Sequence, residues 1–151
     1  MKTMFKISLL FALIIIAFTS CSDSADMKPD KAPDVEAEVA NFEILRGGEL
    51  TAQSSTNTRG MVQVVRDDAG DFFLRLTEDF TTKFSTGTVT VYLSTSSSLD
   101  LNESSSFELI SVVDQAGEHF FKLSGEPDSK FTHGIIWCGA AAIPFGFTLM
   151  D

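Results

Sequence analysis

Cysteine occurs only twice in the 151 residues, at Cys21 and Cys138, which excludes a disulfide-stapled scaffold. Basic residues are also scarce: 11 Lys and Arg face 21 Asp and Glu, for a formal charge of −10. No basic stripe exists to neutralise phosphates, so nucleic acid is excluded as a partner. Histidine appears twice, and no Gly-x-Ser-x-Gly elbow accompanies it. A hydrolytic triad therefore has nothing to build on, and the chain is not expected to be an enzyme. No apolar run reaches the roughly 20 residues that a membrane-crossing helix needs. Helical periodicity is missing throughout the body of the chain. Phenylalanine is what the sequence has in quantity, with 14 copies.

The first twenty residues read as a sorting signal. Lys2 and Lys6 give a positive start, and Ile7–Phe18 is apolar apart from Ser8, the length of a signal-peptide core. Thr19 and Ser20 then precede Cys21, and the polar Ser22-Asp23-Ser24-Ala25-Asp26 follows. Small residues, a cysteine and a polar onset in that order resemble a bacterial lipobox, though Phe18 stands where leucine is usual, and the resemblance implies that the Cys21 thiol is acylated and becomes the mature N-terminus. Cleavage there leaves 9 basic against 21 acidic residues, or −12, so acyl chains rather than charge must hold the protein to a bilayer. Ser22 is not the aspartate that signals inner-membrane retention, and the outer membrane is favoured. Residues 21–41 read as a proline-punctuated, charged tether, with a short helix expected around Val35–Ala40. The globular domain is expected over residues 42–151, enough chain for one core.

That domain alternates with period two. Strands are expected at Leu45–Gln53 (with Gly47-Gly48 as a bulge or turn), Met61–Val65, Phe72–Leu76, Val89–Leu93, Phe107–Val113, His119–Leu123, Phe131–Cys138 and Ala142–Leu149. Turn residues punctuate them at Asp67–Gly70, Ser85–Gly87, Asp114–Gly117 and Gly125–Asp128. The pattern predicts an all-β domain, an antiparallel sandwich or barrel-like fold. Phe72, Leu74 and Leu76 are expected inside with Arg75 outside, and most phenylalanines are assigned to the core. An ungapped echo aligns Ala69–Thr77 with Ala116–Ser124, placing His119 on the inner face and asking positive φ of Gly70 and Gly117. The serine-rich excursion Thr95–Ser106 is the longest loop and the favoured place for partner contact.

With Cys21 acylated, Cys138 is the one free thiol. It sits in the apolar stretch Gly134–Gly139 without a nearby cation to stabilise a thiolate, the setting of a structural cysteine. His119, His133, Cys138 and Met150 would make a copper ligand list, but strand parity sets His133 and Cys138 on opposite faces. No metal or cofactor is expected. Acidic turn clusters, Asp67-Asp68 with Asp71 and Asp114 with Glu118, do not have calcium-loop spacing.

Tyr92-Leu93-Ser94 after a glycine turn, Asp79-Phe80, and Ile135-Ile136-Trp137-Cys138 followed by Pro144-Phe145-Gly146 resemble the DM-thirteen domain, across roughly residues 42–150. Gly87-Thr88-Val89 departs from that family's Gly-Pro-Asp. The resemblance implies a small all-β module, found in bacterial lipoproteins among other settings, with an electron-transfer or redox role at Cys138. A lone thiol needs a redox or surface protein partner, to form a mixed disulfide or to bring a cofactor. The alternative expectation is a non-redox binding or adhesion module at the cell surface.

Overall fold

The computed structural model describes residues 39–151, so the signal segment, Cys21 and all of the tether but Val39–Asn41 lie outside the described residues. So does most of the helix expected at Val35–Ala40; Val39 and Ala40 are not helical. Nine strands follow: β1 (Phe42–Glu49), β2 (Thr51–Ala52), β3 (Met61–Asp67), β4 (Phe72–Leu76), β5 (Val89–Ser94), β6 (Phe107–Val113), β7 (His119–Lys122), β8 (His133–Cys138) and β9 (Ile143–Leu149). They form two antiparallel sheets, β1-β3-β4-β7 and β2-β9-β8-β5-β6. The expected all-β sandwich is what the chain adopts. One 3₁₀ turn, Phe84–Thr86, interrupts the connection between β4 and β5.

Alternation explains the core. Val62, Leu74 and Phe121 point inward from the first sheet and meet Val91, Ile136 and Phe145 of the second, all nearly without solvent contact. The sheets approach closely where Gly134 faces Val62: a Cβ there would fall 2.9 Å from Val62 Cγ1. Both hairpin glycines of the sequence echo take the expected conformation, Gly70 at φ +87° and Gly117 at φ +107°. Their strands β4 and β7 pair with each other, Leu74 opposite Phe121 and Arg75 opposite Phe120.

Gly47-Gly48 is not the bulge or turn. The strand runs straight through both, and the irregularity lies between Ile44 and Arg46, where Leu45 is the extra residue. The glycines permit a close crossing instead. Gly47 and Asp151 exchange both backbone hydrogen bonds at 3.2 Å, and a Cβ on Gly48 would overlap the Leu149 carbonyl oxygen. Beyond them Leu50 turns into the core, its N–H donating to the Gly60 carbonyl at 2.8 Å, and the chain joins the second sheet as β2. One extended segment thus belongs to both sheets and seals one seam of the sandwich.

The expected inward placement of most phenylalanines needs correction. Phe42, Phe73, Phe107, Phe120 and Phe147 occupy register positions on the outer faces. Phe73 is nonetheless buried, because Phe120 lies edge-on to it at 6.3 Å on that outer face. Arg75 holds this outer cluster together. It lies 4.8 Å from the Phe42 ring centroid and 5.7 Å from that of Phe120, and donates to Gln63 Oε1 at 2.7 Å and Glu118 Oε1 at 2.8 Å. Both aromatic rings shelter the guanidinium while two polar partners use its donors.

Candidate functional site

Cys138 ends β8 on the inner face, opposite Val89 of β5 and Ile143 of β9, and has no solvent exposure. The Phe84–Thr86 turn lies over it. Sγ is 3.9 Å from the Thr86 carbonyl oxygen and 3.8 Å from Thr86 Oγ1, weak contacts suited to a thiol donor. Gly87 leaves the turn at φ +117°, where a Cβ would stand 2.8 Å from that of Ala140. Beside the turn runs a shallow cleft of about 310 Å³ lined by Phe84, Val89, Val112 and Asp114 among others, and it does not reach the sulfur. A thiol packed under that turn and closed from solvent is chemically quiet.

The histidines do not join it. His119 is buried on the inner face of β7, as expected from the echo, stacked on Phe121 at 5.6 Å with its Nε2 at 3.0 Å from the Gln115 carbonyl oxygen. His133 begins β8 on the outer face, at the opposite end of that strand from Cys138. At about 3.3 Å per residue the two are roughly 16 Å apart along the strand. The copper ligand list is therefore not brought together, by separation along the strand as well as by parity. The acidic turns are likewise engaged locally: Asp67 Oδ1 accepts the Asp71 N–H, Asp71 pairs with Lys122 at 2.6 Å, and Glu118 pairs with Arg75. Among the described residues no group of three His, Cys, Asp or Glu converges to hold a metal.

Burial lowers the His133 pKa below its usual 6.5, while Thr132 Oγ1 lies 2.9 Å from Nδ1. The ring is thus neutral at physiological pH. Just below pH 6.5 the unfolded chain binds more protons than the folded one, so stability falls as pH drops from 6.5 to the folded-state pKa. An NMR titration of the ring Cε1–H signal is expected to give a midpoint below 6.5; a midpoint at or above it refutes this burial effect.

A feature that sequence reasoning missed is the outer face of the second sheet. Cross-strand pairing sets Leu109 beside Tyr92, Tyr92 beside Ile135 and Ile135 beside Phe147, with Trp137, Phe107 and Leu149 flanking this row. Tyr92 and Phe107 meet edge to face at 5.7 Å, and Ile135 is fully covered beneath its neighbours. Leu109 is 38% and Leu149 50% exposed. Neither the Tyr92 hydroxyl nor the Trp137 indole N–H bonds to another described residue, and neither is a buried orphan. Across β2, β5, β6, β8 and β9 only Glu108 carries a formal charge, and its register position, opposite Leu93, is on the other side of β6. The Arg75–Glu118, Lys122–Asp71 and Arg66–Glu43 pairs belong to the first sheet and its turns. Charge is segregated between the two outer faces. The signal was present in the sequence as apolar residues at both parities of β8, Ile135 and Trp137 alternating with Ile136 and Cys138, but assigning phenylalanine to the core by default conceals the rings beside them.

The Thr95–Ser106 excursion borders this face. It is closed by the Thr95 N–H donating to Ser106 O at 2.9 Å and braced by Thr132 Oγ1 donating to Thr95 O at 3.4 Å. Its Leu101 is 48% exposed, on a turn capped by Asp100 Oδ1 accepting from the Asn102 N–H.

Compared with protein-family models, curated proteins and solved structures, the chain matches none of them.

Proposed function

We propose that the chain is a lipid-anchored, non-enzymatic binding module of the bacterial cell envelope, attached through acylated Cys21 and working through the outer face of the second sheet and its bordering excursion. The observation that carries this reading is the uncharged aromatic face on an otherwise acidic protein. Apolar residues grouped with the polar ends of Tyr92 and Trp137 suit recognition of a partner, since rings give contact area and polar ends give direction. The lipobox around Cys21 supports the anchor, and the outer membrane remains the favoured destination. The likeness to DM-thirteen suggests a redox role for Cys138 instead. Against that role stands the seal over the sulfur, which the Phe84–Thr86 turn would have to leave before any partner thiol or cofactor could touch it.

Thiol counting on the mature protein tests anchor and thiol together. A disulfide reagent is expected to find no reactive thiol in the native protein and one after denaturation, that of Cys138. Two thiols after denaturation would show Cys21 unacylated and remove the anchor. Labelling of native protein at the rate of a free thiol would return Cys138 to redox use and overturn the packing assignment.

A further inference from the structure

We propose that the open edge of β6 takes up an extended, basic-flanked peptide of another protein as an added strand. The site is the border of the second sheet and not its outer face, so the outer-face reading stands or falls separately. β6 ends its sheet, and among the described residues only β5 pairs with it. The strand is open to solvent there: Glu108 is exposed and Leu109 is 38% exposed. Two bonds nearby set the direction of its main chain. The Thr95 N–H donates to Ser106 O, and the Gly139 N–H donates to Thr88 O, so β5 turns alternate residues, Val89, Val91 and Leu93, toward β6. Antiparallel alternation then directs the N–H and C=O of Phe107, Leu109 and Val112 at the open edge. A row of donors and acceptors at strand spacing is met by another extended backbone, and this selects the class of partner. The other borders are closed. Gly47 of β1 is clasped by Asp151, β2 has two residues, and β7 has four with Lys122 held by Asp71.

The cleft of about 310 Å³ supplies a pocket for one side chain of that strand. It adjoins the Val112-Val113 end of the edge and is lined also by Phe84, Val89 and Asp114, so its occupant is apolar. Charge fixes the flanks. Glu108 and Asp114 stand exposed at either end of the stretch, on a protein that carries −10 overall, and basic residues of the peptide are drawn to them while acidic ones are repelled. A second copy of the chain fits less well. Each copy carries the same −10, and the extra residue Ile110 bends both edges at the same place, a device that blunts self-pairing.

The isotope-labelled full chain is followed by amide NMR during titration with three peptides. These are Lys-Thr-Val-Thr-Leu-Thr-Lys, its counterpart with Glu at both ends, and the Lys-flanked form N-methylated at every residue. The Lys-flanked peptide is expected to move the Phe107, Leu109 and Val112 amide signals saturably and to slow their hydrogen exchange. The Glu-flanked peptide should bind about tenfold more weakly, and the methylated one not at all. Leu109→Pro removes a donor that faces the open edge and spares the β5 ladder; it is expected to weaken binding about tenfold or more. Leu109→Thr keeps the N–H and should leave binding nearly unchanged. The methylated peptide is compared on the native chain, so a folding failure of the proline variant does not remove the test. No movement with the Lys-flanked peptide, or an equal response to the methylated one, overturns the proposal. Exchange protection of the Leu109 and Val112 amides in the dilute chain alone would show the edge already occupied and overturn it too. Movement of the same signals on concentrating the chain without peptide would give the edge to a second copy instead.

Discussion

Gly48→Ala is expected to destabilise the domain by about 3 kcal/mol, measured as a lowered urea midpoint, although a methyl group in a strand ordinarily helps. Replacing glycine normally stabilises by roughly 0.4–1 kcal/mol through the unfolded chain. Here the added carbon would overlap the Leu149 carbonyl oxygen and crowd Thr148 Oγ1. A backbone oxygen cannot swing aside as a side-chain tip can, so β1 and the end of β9 must separate, and overpacking of this kind costs about 1–3 kcal/mol or somewhat more. Gly125→Ala is the matched control, since a methyl group there would meet nothing within 4 Å and the Gly125 φ is not left-handed. Equal midpoints for the two variants would show that the crossing of β1 over β9 does not seal the sandwich.

Phe80→Ala should be the second large effect, a loss of about 3–5 kcal/mol. The position lies in a loop after β4, where tolerance is the usual expectation. Phe80 is nevertheless 1% exposed, with His119 and Phe84 each edge-on at 6.3 Å. Its carbonyl accepts the Gly117 N–H at 2.9 Å and its own N–H donates to Thr77 O at 2.8 Å. The ring therefore closes one end of the core, with the β6–β7 turn pinned to its backbone. Removing it opens a cavity that those backbone bonds prevent from collapsing. Phe80→Leu, which keeps most of the volume, should cost far less. A Phe80→Ala midpoint within experimental scatter of wild type would mean that the loop carries no core.

Strand positions were legible because apolar residues repeat every second place and positive-φ turns leave glycine behind them. β4 and β6 lie where the alternation places them, Phe72–Leu76 and Phe107–Val113. What stayed hidden has a common cause: it depends on what crosses a segment rather than on the segment. Gly47 and Gly48 look like a turn until the carboxyl-terminal strand is known to pass over them. Phe73 reads as an exposed or misplaced core residue until Phe120, on β7, covers it. The parity of Cys138 and His133 was readable, since a bulge beside β8 falls in β9, where Phe145 is the extra residue, and leaves β8 regular. The aromatic face was half-readable. Its residues alternate correctly, but period two alone does not say which side of a sheet another sheet will cover.

The pairing of Gly47 with Asp151 has a temporal side as well. A chain delivered amino end first presents β1 about a hundred residues before the residues that clasp it. Until those arrive the earliest strand has no mate along that border, and the domain stays unlatched.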